Sequence, residues 1–323
     1  MKMPPPFASC KAVFISLVLF SIFPSVARAE WQRSDTTIGW RAGTNLLWQF
    51  SFDPKKGKPF FHPLTANGTP LTNFKPEDHP WHYGLWFSWK YINHVNYWEE
   101  DRTSGKAEGA TRWAAPIIKI HPDGSATIQL EITCTNPSNR VEMTESRELT
   151  ISAPEADGSY TIGWSAKFTA GSDGAILDRT PLLGEPEGQV NGGYAGLGLR
   201  MVSAPLTMSV VCSTGLVTHF ESDRARPNAA AVGCNFSDGT NVVGGIAIFS
   251  DPQNAGENAP WYLINSEKMR FACAAILAPK ILTLAPNEKM NLDYRIVVQP
   301  KAWTTNELQS VFMGGIKEVK SVH

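Results

Sequence analysis

The chain has 323 residues, of which 42% are hydrophobic and only 18% charged. This small charged fraction excludes a charge-driven disordered chain, and a net charge of -1 argues against a nucleic-acid-binding protein, which normally carries a basic excess. At roughly 150 residues per domain, the length suits one large β domain or two smaller domains.

The first 29 residues have the pattern of a secretory signal peptide. Lys2 and Lys11 make the start basic, residues 12–23 are an apolar run, and Ala27-Arg28-Ala29 is a small-x-small cleavage site. The run is too short to span a bilayer comfortably, and no later apolar stretch has the ~18 residues of a spanning helix. We therefore expect cleavage after Ala29, a periplasmic or secreted protein, and no membrane span in the mature chain.

The mature chain, residues 30–323, is predicted to be one all-β domain. Runs of strand length follow one another, several with the two-residue alternation of a half-buried strand, and turn signals such as Asp157-Gly158 separate them. The pattern predicts a large antiparallel β-sandwich. Only the tail has helical spacing, with Thr304 or Thr305 as the cap of a short C-terminal helix. The predicted strands cover residues 46–52, 115–120, 126–134, 147–152, 160–169, 195–202, 206–212, 242–250, 268–277 and 290–298.

The cysteines of the mature chain leave two alternatives open. Their even number in an oxidising compartment permits two disulfides. However, most of them lie in apolar, strand-like runs, where buried free thiols are equally expected. The residues are Cys134, Cys212, Cys234 and Cys273.

Residues 54–109 interrupt the rhythm of strands. This region is rich in Pro, Gly, His and aromatic residues, and it is too long for an ordinary connection. Long structured loops over a β scaffold are where functional sites are usually built, so we expect the site here. One segment, residues 85–89 with Trp86, could instead be a core strand.

This His/Trp-rich region predicts acid/base chemistry on a sugar. His79 and His82 form the central pair, and His62 and Glu100 are expected to orient or supplement them. Indole faces stack on the C–H faces of sugar rings, which suggests Trp81 and Trp98 as platforms. The catalytic carboxylate stays open among Glu77, Asp78, Glu99 and Glu100.

Later segments could supply the rest of a substrate site. The planar donor forks of Arg224 and Arg226 suit a carboxylate or vicinal hydroxyls. Asp251, Asn254 and Trp261 form a second polar and aromatic loop after a strand, and we expect it to line the other wall of a cleft.

A metal site is the main chemical alternative, although no cofactor is expected. His79 and His82, joined by His62 or by a carboxylate such as Asp78, would suit a divalent zinc, copper or manganese ion. Pro80 lies inside this pair, so the helical ligand geometry of metalloproteases does not apply.

Several motifs resemble the bacterial PmoA-like family, which carries the label "methane oxygenase PmoA". They are Asp78-His-Pro-Trp-His-Tyr-Gly-Leu-Trp86, Gly196-Leu-Gly-Leu-Arg200, Gly244-Gly-Ile-Ala-Ile-Phe249 and Leu292-Asp-Tyr-Arg295. Trp81 stands where the family often has His. A membrane monooxygenase subunit would need several apolar spans, which this chain lacks. The resemblance implies instead an exported β-sandwich protein of glycan-degrading bacteria, with the galactose-mutarotase-like supersandwich as an architectural analogy.

These observations predict an exported carbohydrate-active enzyme. Glycoside hydrolysis ranks first among its possible reactions, with β-elimination or epimerisation close behind. The alternatives are a noncatalytic glycan-binding module and a metal-dependent oxidase or oxygenase. The expected partner is a carbohydrate substrate.

Overall fold

The computed structural model describes residues 1–3, 29–255 and 260–315, with side chains described as far as Val311. The prediction of an all-β, antiparallel fold with a short C-terminal helix is confirmed. Most of the predicted signal peptide, residues 4–28, lies outside the described residues. No helix within the described ranges is both long and apolar enough to cross a membrane.

The elements follow in chain order. The strands are β1 (Ala29–Arg33), β2 (Thr37–Ala42), β3 (Asn45–Ser51), β4 (Phe60–Ala66), β5 (Thr69–Pro70), β6 (Leu85–Ser88), β7 (Tyr91–Ile92), β8 (Val95–Asn96), β9 (Ala110–Trp113), β10 (Ile117–Ile120), β11 (Ala126–Thr135), β12 (Val141–Ile151), β13 (Tyr160–Ala170), β14 (Ala175–Asp178), β15 (Gly196–Met201), β16 (Thr207–Cys212), β17 (Gly215–Leu216), β18 (Arg224–Ala225), β19 (Ala231–Asp238), β20 (Asn241–Ser250), β21 (Trp261–Asn265), β22 (Arg270–Ala274), β23 (Leu282–Leu284) and β24 (Lys289–Gln299). A 3-10 turn covers Pro54–Lys56, and helix α1 covers Thr305–Gly315.

Across the described ranges, these strands form three antiparallel sheets. Sheet I has the order β1-β2-β3-β4-β6-β15-β22-β21-β18, with β5 paired to β4. Sheet II has the order β10-β11-β12-β13-β24-β20-β19-β16-β17, with β9 paired to β11. The small sheet III has the order β23-β14-β7-β8.

Sheets I and II pack face to face around the main core. The ring of Phe87 in sheet I lies 5.2 Å from that of Phe168 in sheet II, between centroids. The hydroxyl of Tyr160 crosses the interface and donates to the Leu47 carbonyl at 2.9 Å. The other face of sheet II meets solvent along β11, where buried residues such as Ile128 alternate with exposed ones such as Gln129.

The central strands of sheet I, in contrast, are buried on both faces. In β6, Leu85 and Phe87 join the main core, while Trp86 points to the opposite face and packs in a second cluster with Phe271 of β22. Gly198 of the strand between them permits this packing, since an added Cβ would lie 3.1 Å from the Trp86 ring. Strands buried on both sides read as continuous apolar runs. This explains why residues 54–109 were predicted as loop although they contribute β4 and β6 to the middle of sheet I.

The C-terminal helix begins with a capping box. The backbone N–H of Glu307 donates to Thr304 Oγ1 at 3.2 Å, and the Glu307 carboxylate accepts from the Thr304 N–H at 2.9 Å. Leu308 is fully buried in a cluster with Trp303 and Phe249 of β20, so the helix is anchored on the outer face of sheet II.

The four described cysteines, Cys134, Cys212, Cys234 and Cys273, are buried free thiols. Burial raises the pKa of Cys134 and of Cys273 to about 12, so both stay protonated at neutral pH. Of the two alternatives left open by the sequence, the structure has the one without disulfides.

Candidate functional site

A cavity of about 220 Å³ lies on the outer face of sheet I, the face turned away from the main core. Its floor comes from Tyr262 and Ile264 of β21 and from Phe271 of β22, and its walls come from the segments that cross this face and from β18 at the sheet edge. We call it the site cavity. Its lining residues are His79, Trp81, His82, Trp98, Glu99, Asn191, Tyr194, Arg224, Tyr262, Ile264, Met269 and Phe271.

A chain of charged side chains ends at His79 in the wall of this cavity. The buried Arg200 donates through Nη2 to both carboxylate oxygens of Asp78, at 2.8 and 3.0 Å. Asp78 Oδ2 lies 2.9 Å from His79 Nδ1. Because an ionised carboxylate can only accept, Nδ1 is the donor, and the neutral imidazole keeps a lone pair on Nε2. The arrangement orients His79 as a proton acceptor.

Asp78 is held in its ionised form. Burial alone would raise its pKa, but the hydrogen bonds from His79 and Arg200 outweigh this and lower the pKa below its usual value. The loop that carries it is fixed by Arg102, which donates to the carbonyls of Glu77 and Asp78 at 2.9 and 2.8 Å. The Arg102 guanidinium also lies 5.4 Å from the ring centroid of Trp81. Arg102 thus fixes both Asp78 and the indole beside it.

His82 lies beneath His79 and is much more deeply buried. Its ring stacks on those of His79 and Phe271, with centroids 4.7 and 5.0 Å away, and only 3% of the residue is exposed. Burial lowers the pKa of His82 well below its ordinary value, and the nearby charges of His79 and Arg200 add to this. His82 is therefore a neutral imidazole at neutral pH. Its Nδ1 is buried and has no hydrogen-bond partner among the described residues.

Glu99 is the carboxylate that lines the cavity. It accepts hydrogen bonds from Lys90, Tyr194 and Asn96. Burial acts to raise its pKa, but Lys90 and these hydrogen bonds more than compensate and hold it lowered. The sequence left Glu99 as one of four open choices. Lys90 and Asn96 are close to Glu99 in the sequence, but Tyr194 is 95 residues away, so the local sequence does not show this full set of partners.

Glu100, the carboxylate favoured in the sequence prediction, is directed away from the cavity. It accepts from Lys58 Nζ at 2.8 Å, from Lys75 Nζ at 3.3 Å and from the hydroxyl of Tyr83. Only 4% of its side chain is exposed. Glu99 and Glu100 thus belong to separate hydrogen-bond networks although they are adjacent in the sequence.

The other predicted residues fall into two groups. Trp81, Trp98 and Arg224 line the site cavity, as the sequence suggested for a substrate site. Arg226 does not line it, but its guanidinium lies 4.3 Å from the ring centroid of Tyr262, which does.

The remaining predicted residues make contacts elsewhere. His62 lies on β4, and its Nδ1 is 2.9 Å from Thr72 Oγ1. Asp251 is buried, and Asn254 Nδ2 donates to the Asp293 carbonyl at 2.8 Å. Trp261 faces the main core and donates through Nε1 to the Ala229 carbonyl at 2.9 Å. None of the four lines the site cavity.

A metal site requires several ligand side chains that lie close together. Over residues 1–3, 29–255 and 260–315, no three His, Cys, Asp or Glu side chains are grouped so that they could hold a metal ion. In particular, His62 is separated from the stacked pair His79 and His82 and bonds to Thr72.

The histidines whose pKa is lowered in the folded protein should make it less stable in acid. Burial lowers the pKa of His62 to about 4, with Lys56 adding to the shift, while the unfolded chain has the ordinary value near 6.5. Below about pH 6.5 the unfolded state therefore binds more protons than the folded state, and the free energy of unfolding falls as the pH falls. For His62 this loss reaches about 3 kcal/mol at about pH 4. Urea unfolding at a series of pH values measures this slope.

The variant His62→Gln should have a flatter pH dependence of the urea midpoint than the wild type. His94→Asn is the matched control, because His94 is exposed and has a φ of 68° that Asn tolerates. Equal slopes for the wild type and His62→Gln would contradict the prediction.

The chain is weakly similar to several solved structures. The chain is similar to the alpha-galactosidase of Lactobacillus brevis, with 10% identity over 87% of this chain and 40% of that one and a TM-score of 0.45. It is similar to the GH36 alpha-galactosidase of Geobacillus stearothermophilus, with 9% identity over 87% of this chain and 42% of that one and a TM-score of 0.43. A galactose mutarotase related enzyme of Lactobacillus acidophilus matches with 7% identity over 86% of this chain and 99% of that one and a TM-score of 0.34.

The chain thus spans about two fifths of the length of these alpha-galactosidases. Such low similarity concerns the architecture alone and says nothing about the substrate. Among proteins of curated function, none matches the chain. The model of DUF6807, a family of unknown function, matches residues 38–313. This match covers most of the chain, which therefore belongs to the DUF6807 family.

Proposed function

We propose that this protein is a carbohydrate-active enzyme that transfers a proton on a bound sugar, by epimerase-type or lyase-type chemistry. The observation that carries the proposal is the hydrogen-bonded chain Arg200–Asp78–His79 that ends in the site cavity. This chain leaves His79 Nε2 as a base at the place where a substrate would bind.

The shape and lining of the cavity support a sugar as the ligand. Its volume of about 220 Å³ lies below the ~300–1,000 Å³ of pockets for drug-sized ligands, so it suits a single small ring. The half-buried Trp81 indole is fixed by Arg102, as a stacking platform for the C–H face of a sugar requires. Asn191 and Arg224 add donors for hydroxyl oxygens.

The carboxylates favour proton transfer over hydrolysis. Glycoside hydrolysis generally uses two carboxyl groups that flank the scissile bond. Glu99 is the single carboxylate among the described lining residues, and its lowered pKa makes it a poor acid. We therefore place epimerisation or β-elimination ahead of hydrolysis, the reverse of the order expected from sequence.

The two histidines then have different roles from those in the sequence hypothesis. There, one of the pair was to withdraw a proton and the other to donate one. A neutral, 3% exposed His82 cannot be the acid at neutral pH. His79 therefore takes the proton and passes it on, to the ring oxygen that is released in anomer interconversion or to the leaving-group oxygen in β-elimination. His82 acts as a positioning residue through its stacking on the His79 ring.

The export of the protein, which the PmoA-like resemblance also implies, is part of this proposal. We propose a periplasmic or secreted enzyme on the strength of the basic start, the apolar run and the cleavage site within residues 1–29. Such a location would give the enzyme access to extracellular glycans.

The test is a panel of monosaccharides, glycosides and polysaccharides followed by proton NMR. We expect the wild type to interconvert anomers or epimers, or to form an unsaturated sugar, and we expect His79→Gln to lose this activity. His94→Asn, at an exposed histidine outside the cavity lining, should keep it. Release of saturated sugars alone would replace the proposal with hydrolysis. Saturable binding without any product would indicate a glycan-binding module.

A further inference from the structure

We infer that the substrate carries an anionic group, a carboxylate or a sulfate ester on the sugar, and that Arg224 binds this group where two cavities meet. The inference rests on the proposed function for the identity of the site as a sugar site. It adds the class of sugar and the residue that selects it.

Arg224 is shared by two neighbouring cavities. It lines the site cavity, and it also lines a second cavity of about 660 Å³ together with Arg226, Glu221, Leu182 and Leu216. A group bound to Arg224 would therefore lie beside the proposed reacting ring, and the larger cavity leaves room for the rest of a saccharide.

The Arg224 guanidinium is already oriented. Its Nε donates to the hydroxyl of Tyr262 at 3.1 Å, and its Nη1 donates to the Ser222 carbonyl at 2.6 Å. Its Nη2 makes no hydrogen bond to any described residue. A planar donor fork held in this way loses little side-chain entropy on binding an anion, since its orientation is fixed beforehand.

The charges around the cavity leave the two arginines without a counter-ion. Asp78 is paired with Arg200, and Glu99 is paired with Lys90. Neither Arg224 nor Arg226 forms an ion pair with a carboxylate of the described chain. The cations that remain unbalanced at the cavity thus favour an anionic ligand.

The acidic residues nearest to Arg224 do not neutralise it through an ion pair. Glu221 lines the second cavity but meets Arg224 through the backbone, with N–H to carbonyl bonds of 2.9 Å in both directions. Arg226 Nη2 donates to the Gly192 carbonyl, and its guanidinium lies over Tyr262. Both guanidinium groups thus contact Tyr262, Arg226 at the ring face and Arg224 at the hydroxyl, and their hydrogen-bond partners are backbone and hydroxyl oxygens.

The turn that presents Arg224 has an uncommon backbone. Ser222 and Asp223 have φ values of 48° and 65° between the paired residues Glu221 and Arg224. Two successive positive φ values are those of a type I′ hairpin turn, where Asn-Gly is the usual pair. Side-chain-bearing residues in this conformation store strain, and such strain concentrates at functional sites.

The experiment measures equilibrium binding of matched sugars by calorimetry, separately from turnover. The probes are glucuronate and galacturonate, the O-sulfated hexoses, and the neutral hexoses glucose and galactose. We expect the wild type to bind an anionic sugar about 10- to 100-fold more tightly than its neutral counterpart, the range of a hydrogen bond to a charged group. Added salt should weaken only the anionic sugars.

The variant Arg224→Gln should lose this preference, and Arg33→Gln should keep it. Arg33 is an exposed arginine of β1 outside both cavities, so it is a matched control for loss of one positive charge. A preference for uronates identifies the group as a carboxylate, and a preference for sulfated hexoses identifies it as a sulfate ester. Equal affinity for neutral and anionic sugars, no binding of any anionic sugar, or an unchanged preference in a folded Arg224→Gln would overturn the inference.

The two proposals fail in different ways. Preferential binding of anionic sugars without turnover would refute the proton-transfer function and leave the anion site in place. Turnover of neutral sugars without any preference for anionic ones would refute the anion site and support the proton-transfer function.

Discussion

Replacement of Asp78 by Asn should lower kcat by about 10²- to 10⁴-fold on the substrate found in the panel, with little change in KM. Asp78 does not line the site cavity, so substrate binding should remain. Its carboxylate accepts from His79 Nδ1 at 2.9 Å, and an amide in its place no longer imposes the tautomer that leaves Nε2 as the base. Steady-state kinetics over a range of pH would measure the effect.

Asp78→Asn also removes the counter-ion of Arg200, so the control is a variant that loses an aspartate–arginine pair elsewhere. Asp173→Asn removes another aspartate that pairs with an arginine, Arg140, at an exposed place outside the cavity lining. It should leave kcat unchanged, while near-ultraviolet circular dichroism verifies that both variants are folded. An Asp78→Asn enzyme with wild-type kcat would show that Asp78 does not position the base.

Replacement of Glu100 by Ala should destabilise the protein by about 3–5 kcal/mol. The change removes the partner of Lys58, whose own side chain is only 3% exposed. Burial lowers the pKa of Lys58, and Glu100 is the group that most opposes this shift. Without Glu100, the ammonium group and the Tyr83 hydroxyl are left buried with fewer partners. The urea midpoint at constant m-value would measure the loss.

A second variant distinguishes the buried charge from the packing around it. In Lys58→Met combined with Glu100→Gln, both charges are gone, and the amide oxygen can still accept from Tyr83. This double variant should be more stable than Glu100→Ala. Glu155→Ala, at an exposed glutamate, should stay within about 0.5 kcal/mol of the wild type. A Glu100→Ala protein as stable as this control would contradict a structural role for the ion pair.

The sequence predicted β11 and β13 of sheet II and the buried strands β15 and β22 of sheet I, but it did not predict β4 and β6. Strands such as β11 and β13 of sheet II have alternating patterns, because one face meets water and the other meets the core. The strand β6 has four buried residues in succession and so carries no such signal. For the same reason the region 54–109 reads as one long loop, although sheet I runs through it.

The sequence singled out part of the lining of the site cavity for a related reason. His79, Trp81 and His82 are close in sequence, and a local cluster of unusual residues is visible without a structure. Arg200, Tyr194 and Tyr262 come from distant segments, and their relation to His79 and Glu99 depends on the register of sheet I. The choice between Glu99 and Glu100 depends on which side chain reaches the cavity and which reaches Lys58, and composition cannot show this.

The central strands of sheet I are packed on both faces, so some residues of the site can change during evolution more easily than others. The floor residues Phe271 and Tyr262 alternate with core residues in the same strands, so a change of ring size there disturbs two packed layers at once. Trp81 and Arg224 lie at the rim, on a turn and at the sheet edge, where substitution alters the ligand without repacking the sandwich. Members of this family that bind different ligands are therefore expected to diverge at the rim and to share the floor.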